Sequence, residues 1–519
     1  MGELEARPKR RLGMLPVVVP LTRRERIAAI TRVLMGLDAE GTIAHVGARE
    51  VQKPLKSTVS LCASCLAYVP ALVFERSGRV LMAKRCSEHG ASEVLVERDA
   101  RYYHLSNKDK SGKRFAKDAP FHIPTLPGFV SGALSEGGEC CAPGETCGPT
   151  DGTSQLENRT CTVLVEVTDA CNLACKVCYS DSKGDRFLPF ATFKRHLLAL
   201  LEKKGGLDSV QVTGGESTLH PRFWDMVDWL HAQPTIKKVY VPTNGLTFAS
   251  LEHGPEMVRR AARYRDKLMV LLQFDAVSKD ANETLRNADP DRQRRRVVAA
   301  LDAARVPMQL TMTISGGVNE QEIGGVLDLA LKHDAVKVVA LQPVTYSGRY
   351  ELQPEPSERL TLSDIAEAVM RQSQKKVREG DFVPIPCSHP QCGWITVFLR
   401  RFGVVHNVVR YVDLEKAMAG VAYKTLMSTE EIQDVVGTKD DSVVRRVVAF
   451  VGKRLVRSTD MFSIAIKPFM DRFNYDQDRI ANCCHHTTTT TGELVSFCEY
   501  NALDRPSDSW AGFPTRDGV

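Results

Sequence analysis

The sequence lacks any apolar run approaching the about 18 residues that a membrane-spanning helix requires. Its greasiest stretches, Leu15–Leu21 and Leu268–Phe274, are far shorter. The N-terminal MGELEARPKRR has no apolar core leading to a small-residue cleavage site, so a secretory leader is not expected and a cytoplasmic location is. Charge of one sign is also scarce. Lys and Arg number 69 against 63 Asp and Glu, and the net charge of +6 over 519 residues does not argue for a nucleic-acid partner. Apolar (43%) and charged (25%) fractions are ordinary, which excludes collagen-like, disordered and coiled-coil architectures for the bulk of the chain. The length implies more than one domain.

Cysteine, by contrast, is abundant. There are 15, an odd number that cannot form a complete set of internal disulfides. Disulfides are uncommon in a reducing compartment, so metal ligation is the leading expectation. No cysteine lies between Cys178 and Cys387. The others gather as Cys62, Cys65 and Cys86; as Cys140, Cys141, Cys147 and Cys161; as Cys171, Cys175 and Cys178; and as Cys387, Cys392, Cys483, Cys484 and Cys498. Cysteines buried merely as small apolar residues would be scattered.

The sharpest of these groups lies in VLVEVTDACNLACKVCYSDS, residues 163–182. A β-branched run, Val163–Val167, reads as a buried strand. It leads directly into C-x3-C-x2-C followed by Tyr179. Three thiolates on a tight loop hold three corners of a [4Fe–4S] cube and leave the fourth iron open, because full thiolate ligation takes four. A zinc site would instead show two paired knuckles more widely separated.

Downstream, strand and helix patterns alternate. Strands are expected at Val163–Thr168, Ser209–Thr213, Lys237–Pro242, Leu268–Asp275, Pro307–Ile314 and Val336–Pro343. Helices are expected near Phe190–Lys203, Phe223–Ala232, Leu251–Tyr264, Asp289–Arg305 and Glu320–His333. Six such units predict an α/β fold, a partial (β/α)6 barrel with right-handed crossovers and its site at the C-terminal strand ends. Polar motifs fall there: Gly214, Gly215 and Glu216 after the second strand, Asn244 in PTNG after the third, Gln273 and Asp275 in LQFD after the fourth. TISGGVNE and QPVTYSGR follow the fifth and sixth. Glycines allow close backbone approach, and Glu216 can accept from an ammonium group.

The remaining cysteines suggest further sites. Cys62, Cys65 and Cys86, with a hairpin expected at Ser77–Gly78, point to a rubredoxin-like or zinc-ribbon-like unit. His89 can serve as a further ligand, though a surface histidine in a turn is the favoured reading. The Gly/Pro-rich segment carrying Cys140, Cys141, Cys147 and Cys161 needs a staple to fold. PCSHPQC and NCCHHTTTTTGELVSFC must meet through tertiary folding, with His389, His485 and His486 as optional ligands and Thr487–Thr491 as strand or loop without assigned chemistry. Beyond the triple-cysteine loop twelve cysteines remain, which is three sites of four. The adjacent pairs Cys140/Cys141 and Cys483/Cys484 are placed to face different sites.

Over roughly residues 55–503 the chain resembles a branch of the radical S-adenosylmethionine (SAM) superfamily, the tetraether lipid synthase-like and radical SAM pterin methyltransferase-like proteins. The resemblance rests on SLCASC…KRCSEHG, VTDACNLACKVCYSD, TGGESTLHP, LQFDA, QPVTYSGR, PCSHPQC and IKPFMDRFNYDQDRIANCCHH…FCEYN. The chain departs from it in CASC for CPxC, in Ser217 for the proline of GGEPTLHP, and in a longer stretch between Cys147 and Cys161.

The resemblance implies a radical SAM [4Fe–4S] cluster on Cys171, Cys175 and Cys178, two auxiliary [4Fe–4S] clusters and a mononuclear rubredoxin-type iron (or zinc). It also implies that Gly214, Gly215 and Glu216 bind the amino group of SAM; Tyr179, Asn244, Gln273 and Asp275, at or near the strand ends, are expected to line the same cofactor cavity. Reductive cleavage of SAM would yield a 5′-deoxyadenosyl radical. That radical would activate a lipid-like substrate for sp3–sp3 carbon–carbon coupling, or serve C-methylation of a pterin or other small molecule. A flavodoxin or ferredoxin would supply electrons. An iron–sulfur electron carrier and a zinc-stapled binding protein are the readings outside this chemistry.

The expected organisation is a basic N-terminal region (1–54), a metal-knuckle domain (55–130), an auxiliary cysteine segment (131–162), the barrel (163–350) and a C-terminal auxiliary-cluster domain with a helical insert (351–519). Residues 21–37 place Ile27, Ile30, Val33, Leu34 and Leu37 on one helical face beside Arg23, Arg24, Arg26 and Arg32, and residues 443–456 are similarly mixed. Such helices can lie on an anionic membrane, which adds peripheral membrane contact to the expectations, or pack on their own protein.

Overall fold

The computed structural model describes residues 22–106, 160–352, 355–385, 387–401, 404–411 and 460–518. Cys140, Cys141, Cys147 and the 443–456 segment lie outside the described residues.

Thr22 begins helix α1 (Arg23–Met35) with a capping box, its side chain accepting from the Glu25 N–H while Glu25 accepts from the Thr22 N–H. The apolar face of α1 is spent inside the protein. Ile27 and Leu34 pack with Val59, while Val33 (49%) and Met35 (48%) stay exposed. The helix packs on its own protein through Ile27 and Leu34, in line with one of its two expectations. No described helix is long and apolar enough to cross a membrane.

Four strands follow as an antiparallel meander, β1 (Lys53–Leu61), β2 (Tyr68–Arg76), β3 (Arg79–Cys86) and β4 (Gly90–Glu97). The β2–β3 turn has Ser77 at φ 52° and Gly78 at φ 72°. Positive φ at both positions matches the right-handed twist of a hairpin.

The main sheet takes β5 (Thr162–Glu166), then β7 (Leu207–Thr213), β8 (Ile236–Thr243), β9 (Leu268–Gln273), β10 (Met308–Ile314) and β11 (Val336–Pro343), every neighbouring pair parallel. Two short strands, β6 (Val177–Cys178) and β12 (Arg349–Tyr350), pair separately. The sheet extends beyond the six expected strands. β16 (Met461–Ile466) adds parallel to β11, and β17 (His485–Thr488) adds parallel to β5. Outside these lie β13 (Val383–Pro384), β14 (Trp394–Arg401) and β15 (Val404–Asn407) on one side and β18 (Leu494–Ser496) on the other. The polythreonine run thus supplies strand β17.

Strand alternation sorts the side chains. Val163, Val165, Val210, Val212, Val239, Val241, Val270 and Leu310 join the helices in one large core. The opposite, inner face carries Leu164, Gln211, Tyr240, Met269, Leu271, Gln309 and Gln342; apart from buried Leu164 these are only half-buried.

Candidate active site and metal centres

The C-x3-C-x2-C loop leaves the C-terminal end of β5, and close backbone contacts hold it at both ends. Gly215 N–H donates to the Thr168 carbonyl and Glu216 N–H to the Ala170 carbonyl. A Cβ on Gly214 or Gly215 would overlap the carbonyl oxygens of Thr168 or Ala170, and Gly214 sits at φ 132°. The motif glycines therefore admit the backbone that leads into Cys171. At the far end Cys178 pairs with Arg349, and Gly348 packs on the Cys178 and Tyr179 carbonyls.

The three loop sulfurs interact electrostatically, and burial pushes the Cys171 thiol up to about 11. Burial would raise Cys178 as well. Hydrogen bonds from the Ser180 side chain and the Ser182 and Ser180 N–H groups, with Arg349 nearby, bring it below the ordinary thiol value. A thiolate there suits metal ligation.

Glu216 is buried, and burial raises its carboxyl. Oε1 accepts from the Thr218 (2.6 Å) and Thr243 (2.9 Å) hydroxyls, and Oε2, among the described residues, accepts only the Asn244 N–H (2.7 Å). Asn244 also donates from Nδ2 to Asn172 of the cysteine loop. Gln273 donates to Asp275, which is fully buried and receives Arg286 at 2.7 Å and Arg294 at 3.4 Å. Burial favours the neutral acid, but the Arg286 guanidinium holds Asp275 below the usual carboxylate range.

Neither arginine was singled out from the sequence, where they look like solvated helix positions. Arg286 interacts with the Cys175 sulfur. Arg294 is 1% exposed, donates from Nε to the Asn244 carbonyl, and leaves Nη2 without a partner among the described residues. Burial lowers its guanidinium to about 10. Glu216, Asn244, Gln273 and Asp275 thus meet in one network beside the loop. Tyr179 turns away from it, toward Phe497.

The twelve described cysteines fall into four sets of three; two sets bring their ligand atoms within 4.8 Å of one another, while Cys171, Cys175 and Cys178, and likewise Cys392, Cys483 and Cys498, are linked by the charge interactions of their sulfurs. Cys62, Cys65 and Cys86 lie with His89, one ligand atom of each within 4.8 Å of the rest. The Cys86 Sγ to His89 Nδ1 distance is 3.6 Å and Cys65 to Cys86 is 3.8 Å. Four donors so close fit one tetrahedral ion, for which sulfur and nitrogen ligands at about 2.0–2.3 Å are usual. Of the two readings for His89, the structure favours the ligand: it is exposed, and its ring nitrogen lies with the three sulfurs where a fourth donor would sit.

Cys161, Cys387 and Cys484 form a second group within 4.8 Å. They gather because Cys161 precedes β5 and Cys484 precedes its parallel neighbour β17, with the Cys161 N–H donating to the Cys484 carbonyl at 2.9 Å. This group and the Cys171 loop therefore flank opposite ends of β5. His485 Nδ1 lies 3.2 Å from Cys484 Sγ, and its Nε2 lies 3.3 Å from Lys467 Nζ. Burial, then Lys467, lowers the His485 imidazole to about 3. In the third group Cys498 feels the charge of Cys483 and Cys392, Cys483 feels that of Cys392, and Arg479 donates to Cys392 Sγ at 3.4 Å. The neighbours Cys483 and Cys484 belong to different groups. His389 is engaged by Asp478, and His486 by Thr160.

Residues 165–330 match the family model of the radical SAM superfamily, and residues 54–98 match that of the HMPTM N-terminal zinc ribbon domain. The chain is similar to the 7,8-dihydro-6-hydroxymethylpterin dimethyltransferase of Methanocaldococcus jannaschii, at 24% identity over 508 residues (87% of this chain, 94% of that protein). It is also similar to the GTP 3′,8-cyclase of Chlorobaculum tepidum, at 27% identity over 191 residues, 35% of this chain and about half (53%) of the cyclase. Among solved structures, Streptococcus suis SuiB bound to S-adenosylmethionine aligns with 41% of this chain and 48% of its own, at 17% identity and a TM-score of 0.33. The chain is a radical SAM enzyme, a member of that superfamily with at least one additional cysteine-based metal site.

Proposed function

We propose that the enzyme modifies a polar, nitrogen-rich heterocycle of the pterin kind, by C-methylation, with the catalytic [4Fe–4S] cluster held by Cys171, Cys175 and Cys178. When bound, that cluster and SAM supply a 5′-deoxyadenosyl radical able to take hydrogen from an unactivated carbon. The chain binds and orients. The spare acceptor capacity of Glu216 Oε2 suits the amino group of SAM, and the unpaired Arg294 Nη2 suits its carboxylate. Asn244 ties both residues to the cysteine loop. Cys161, Cys387 and Cys484 would hold one auxiliary cluster and Cys392, Cys483 and Cys498 another, with fourth ligands from Cys140, Cys141 or Cys147. A low-potential flavodoxin or ferredoxin would deliver electrons.

The observation that carries the substrate class is the inner face of the sheet. The side chains of Gln211, Tyr240 and Gln342 are half-buried there and make no hydrogen bond to another described residue. A hydrocarbon chain against them would leave each polar group unmatched, at roughly 1–3 kcal/mol apiece. A heterocycle with ring nitrogens and an amide edge would satisfy them. The pterin substrate named for the Methanocaldococcus jannaschii relative has that chemistry. For lipid-chain coupling the same face offers Met269 and Leu271, but set among these polar side chains, and α1 packs Ile27 and Leu34 against Val59 of β1.

The test is anaerobic turnover of the reconstituted chain with SAM, dithionite and 7,8-dihydro-6-hydroxymethylpterin, read by mass spectrometry. 5′-Deoxyadenosine and methionine from the SAM that is cleaved, S-adenosylhomocysteine from the SAM that gives its methyl group, and a methylated pterin are expected, with dithionite supplying the electrons. 5′-Deoxyadenosine with a coupled hydrocarbon from added lipid, and no pterin product, would overturn the assignment.

A further inference from the structure

Two of the thiol groups are joined by an aromatic contact that the proposed chemistry does not use. Tyr179 follows Cys178 directly, and Phe497 directly precedes Cys498. Their rings meet edge to face, centroids 5.3 Å apart and planes at 82°. Phe469 closes on the other side of Phe497 at 4.8 Å, and the next residue, Met470, donates its N–H to Cys498 Sγ at 3.3 Å. Tyr179, Phe497, Phe469 and Cys498 share one apolar cluster with Leu164 and Leu61. The Tyr179 hydroxyl makes no hydrogen bond to another described residue, and burial pushes it up to about 12. The residue therefore acts here through its ring.

Electron exchange between two centres falls steeply with distance and is carried by contiguous packed groups. A dry aromatic wedge whose two ends are the backbone neighbours of ligands meets that requirement. We infer that the Tyr179–Phe497 contact carries one-electron exchange between the Cys392/Cys483/Cys498 site and the Cys171/Cys175/Cys178 site. This rests on the reading of both groups as iron–sulfur ligands. In the exchange one electron leaves the first site and arrives at the second, no bond forms or breaks, and an external low-potential one-electron reductant (dithionite in vitro) replaces the electron.

The experiment uses the full chain, reconstituted anaerobically and assayed for iron and sulfide. After mixing with dithionite, rapid-freeze electron paramagnetic resonance follows reduction of the cluster whose signal shifts on adding SAM. Phe497→Leu and, from the other side, Tyr179→Leu are expected to slow that reduction several-fold with iron content and midpoint potentials unchanged. Tyr179→Phe, which keeps the ring, is expected to match the unaltered protein. Leucine variants that reduce at the unaltered rate, or a Tyr179→Phe variant as slow as they are, would overturn the route. A measurement without substitution stands beside these. In the fully reduced chain the SAM-responsive signal is expected to show dipolar coupling to a second cluster, and its absence would also overturn the inference. A chain with no SAM-responsive signal would instead refute the assignment of the Cys171 loop itself.

Discussion

Gly348 faces Cys178 so closely that a methyl group on its Cα would lie 2.5 Å from the Cys178 carbonyl oxygen. Gly348 also sits at φ 63°, in the region that L-residues avoid. The end of the sixth strand unit therefore fixes the last cysteine of the loop. Gly348→Ala is expected to cost about 1–3 kcal/mol and to lower the iron retained after reconstitution. Gly317 is the control, with φ 72° but open space around its Cα. Gly317→Ala carries the backbone strain alone and should keep its iron. Equal iron content in both variants would remove the positioning role.

Arg286 and Arg294 share Asp275 but should fail differently. Arg286 donates twice to the carboxylate and holds its charge in a fully buried place. Arg286→Gln is expected to destabilise the fold by roughly 3–5 kcal/mol in denaturant titrations, because a buried ion loses its main partner. Arg294 gives Asp275 a longer contact and keeps Nη2 for a ligand. Arg294→Lys keeps a charge but not the guanidinium fork, and should weaken SAM binding by roughly 1.5–3 kcal/mol. Anaerobic equilibrium binding checks this, and unaltered affinity would strike Arg294 from the site.

The six central strands were legible because each is a short apolar run between turn residues, and a strand buried on its helix-facing side needs little more. Gly214, Gly215 and Glu216 were legible as a place in the fold, and the glycines' chief visible work is to admit the backbone before Cys171, while Glu216 turns its carboxylate to Thr218, Thr243 and Asn244. The union of Cys161 with Cys387 and Cys484 was not legible. It depends on β17 adding to the edge strand β5, and a run of threonines does not reveal which edge it will join. Arg286 and Arg294 were hidden for another reason. Charged helix positions read as solvated until the buried carboxylate they serve is placed beside them. His89 carried a signal in its spacing from Cys86, and only the fold of the β3–β4 turn brings its ring to the sulfurs.

His89 makes the ribbon site testable on its own. If its ring completes the Cys62, Cys65 and Cys86 group, His89→Ala should leave three donors and lose the ion to a moderate chelator. His89→Cys restores a fourth ligand and should retain it. Metal analysis after dialysis separates these outcomes, and full retention by His89→Ala would show that the histidine is a bystander. The C-terminal thiol groups use none of these residues and should keep their iron in both variants.

Glu97 gives the contact between the β1–β4 sheet and the helix Leu362–Gln372 a pH dependence of known sign. Its Oε1 accepts from the Arg98 N–H at 2.8 Å and from the Ser363 hydroxyl, while Arg98 pairs with Asp364 at 2.9 Å. Burial is the largest influence and raises the carboxyl from 4.5 to about 7, against the hydrogen bonds that lower it. Between those values the folded chain keeps a proton that the unfolded chain releases. This group's stabilisation is therefore complete below pH 4.5 and is lost as pH rises through about 7. Glu97→Gln keeps an acceptor for Ser363 and removes the ionisation. Its stability should gain on that of the unaltered protein by about 2 kcal/mol between pH 5 and pH 8, with no further gain above. Parallel stability–pH curves for the two proteins would mean that Glu97 is charged in the folded state across the range, and that water or Arg98 reaches it.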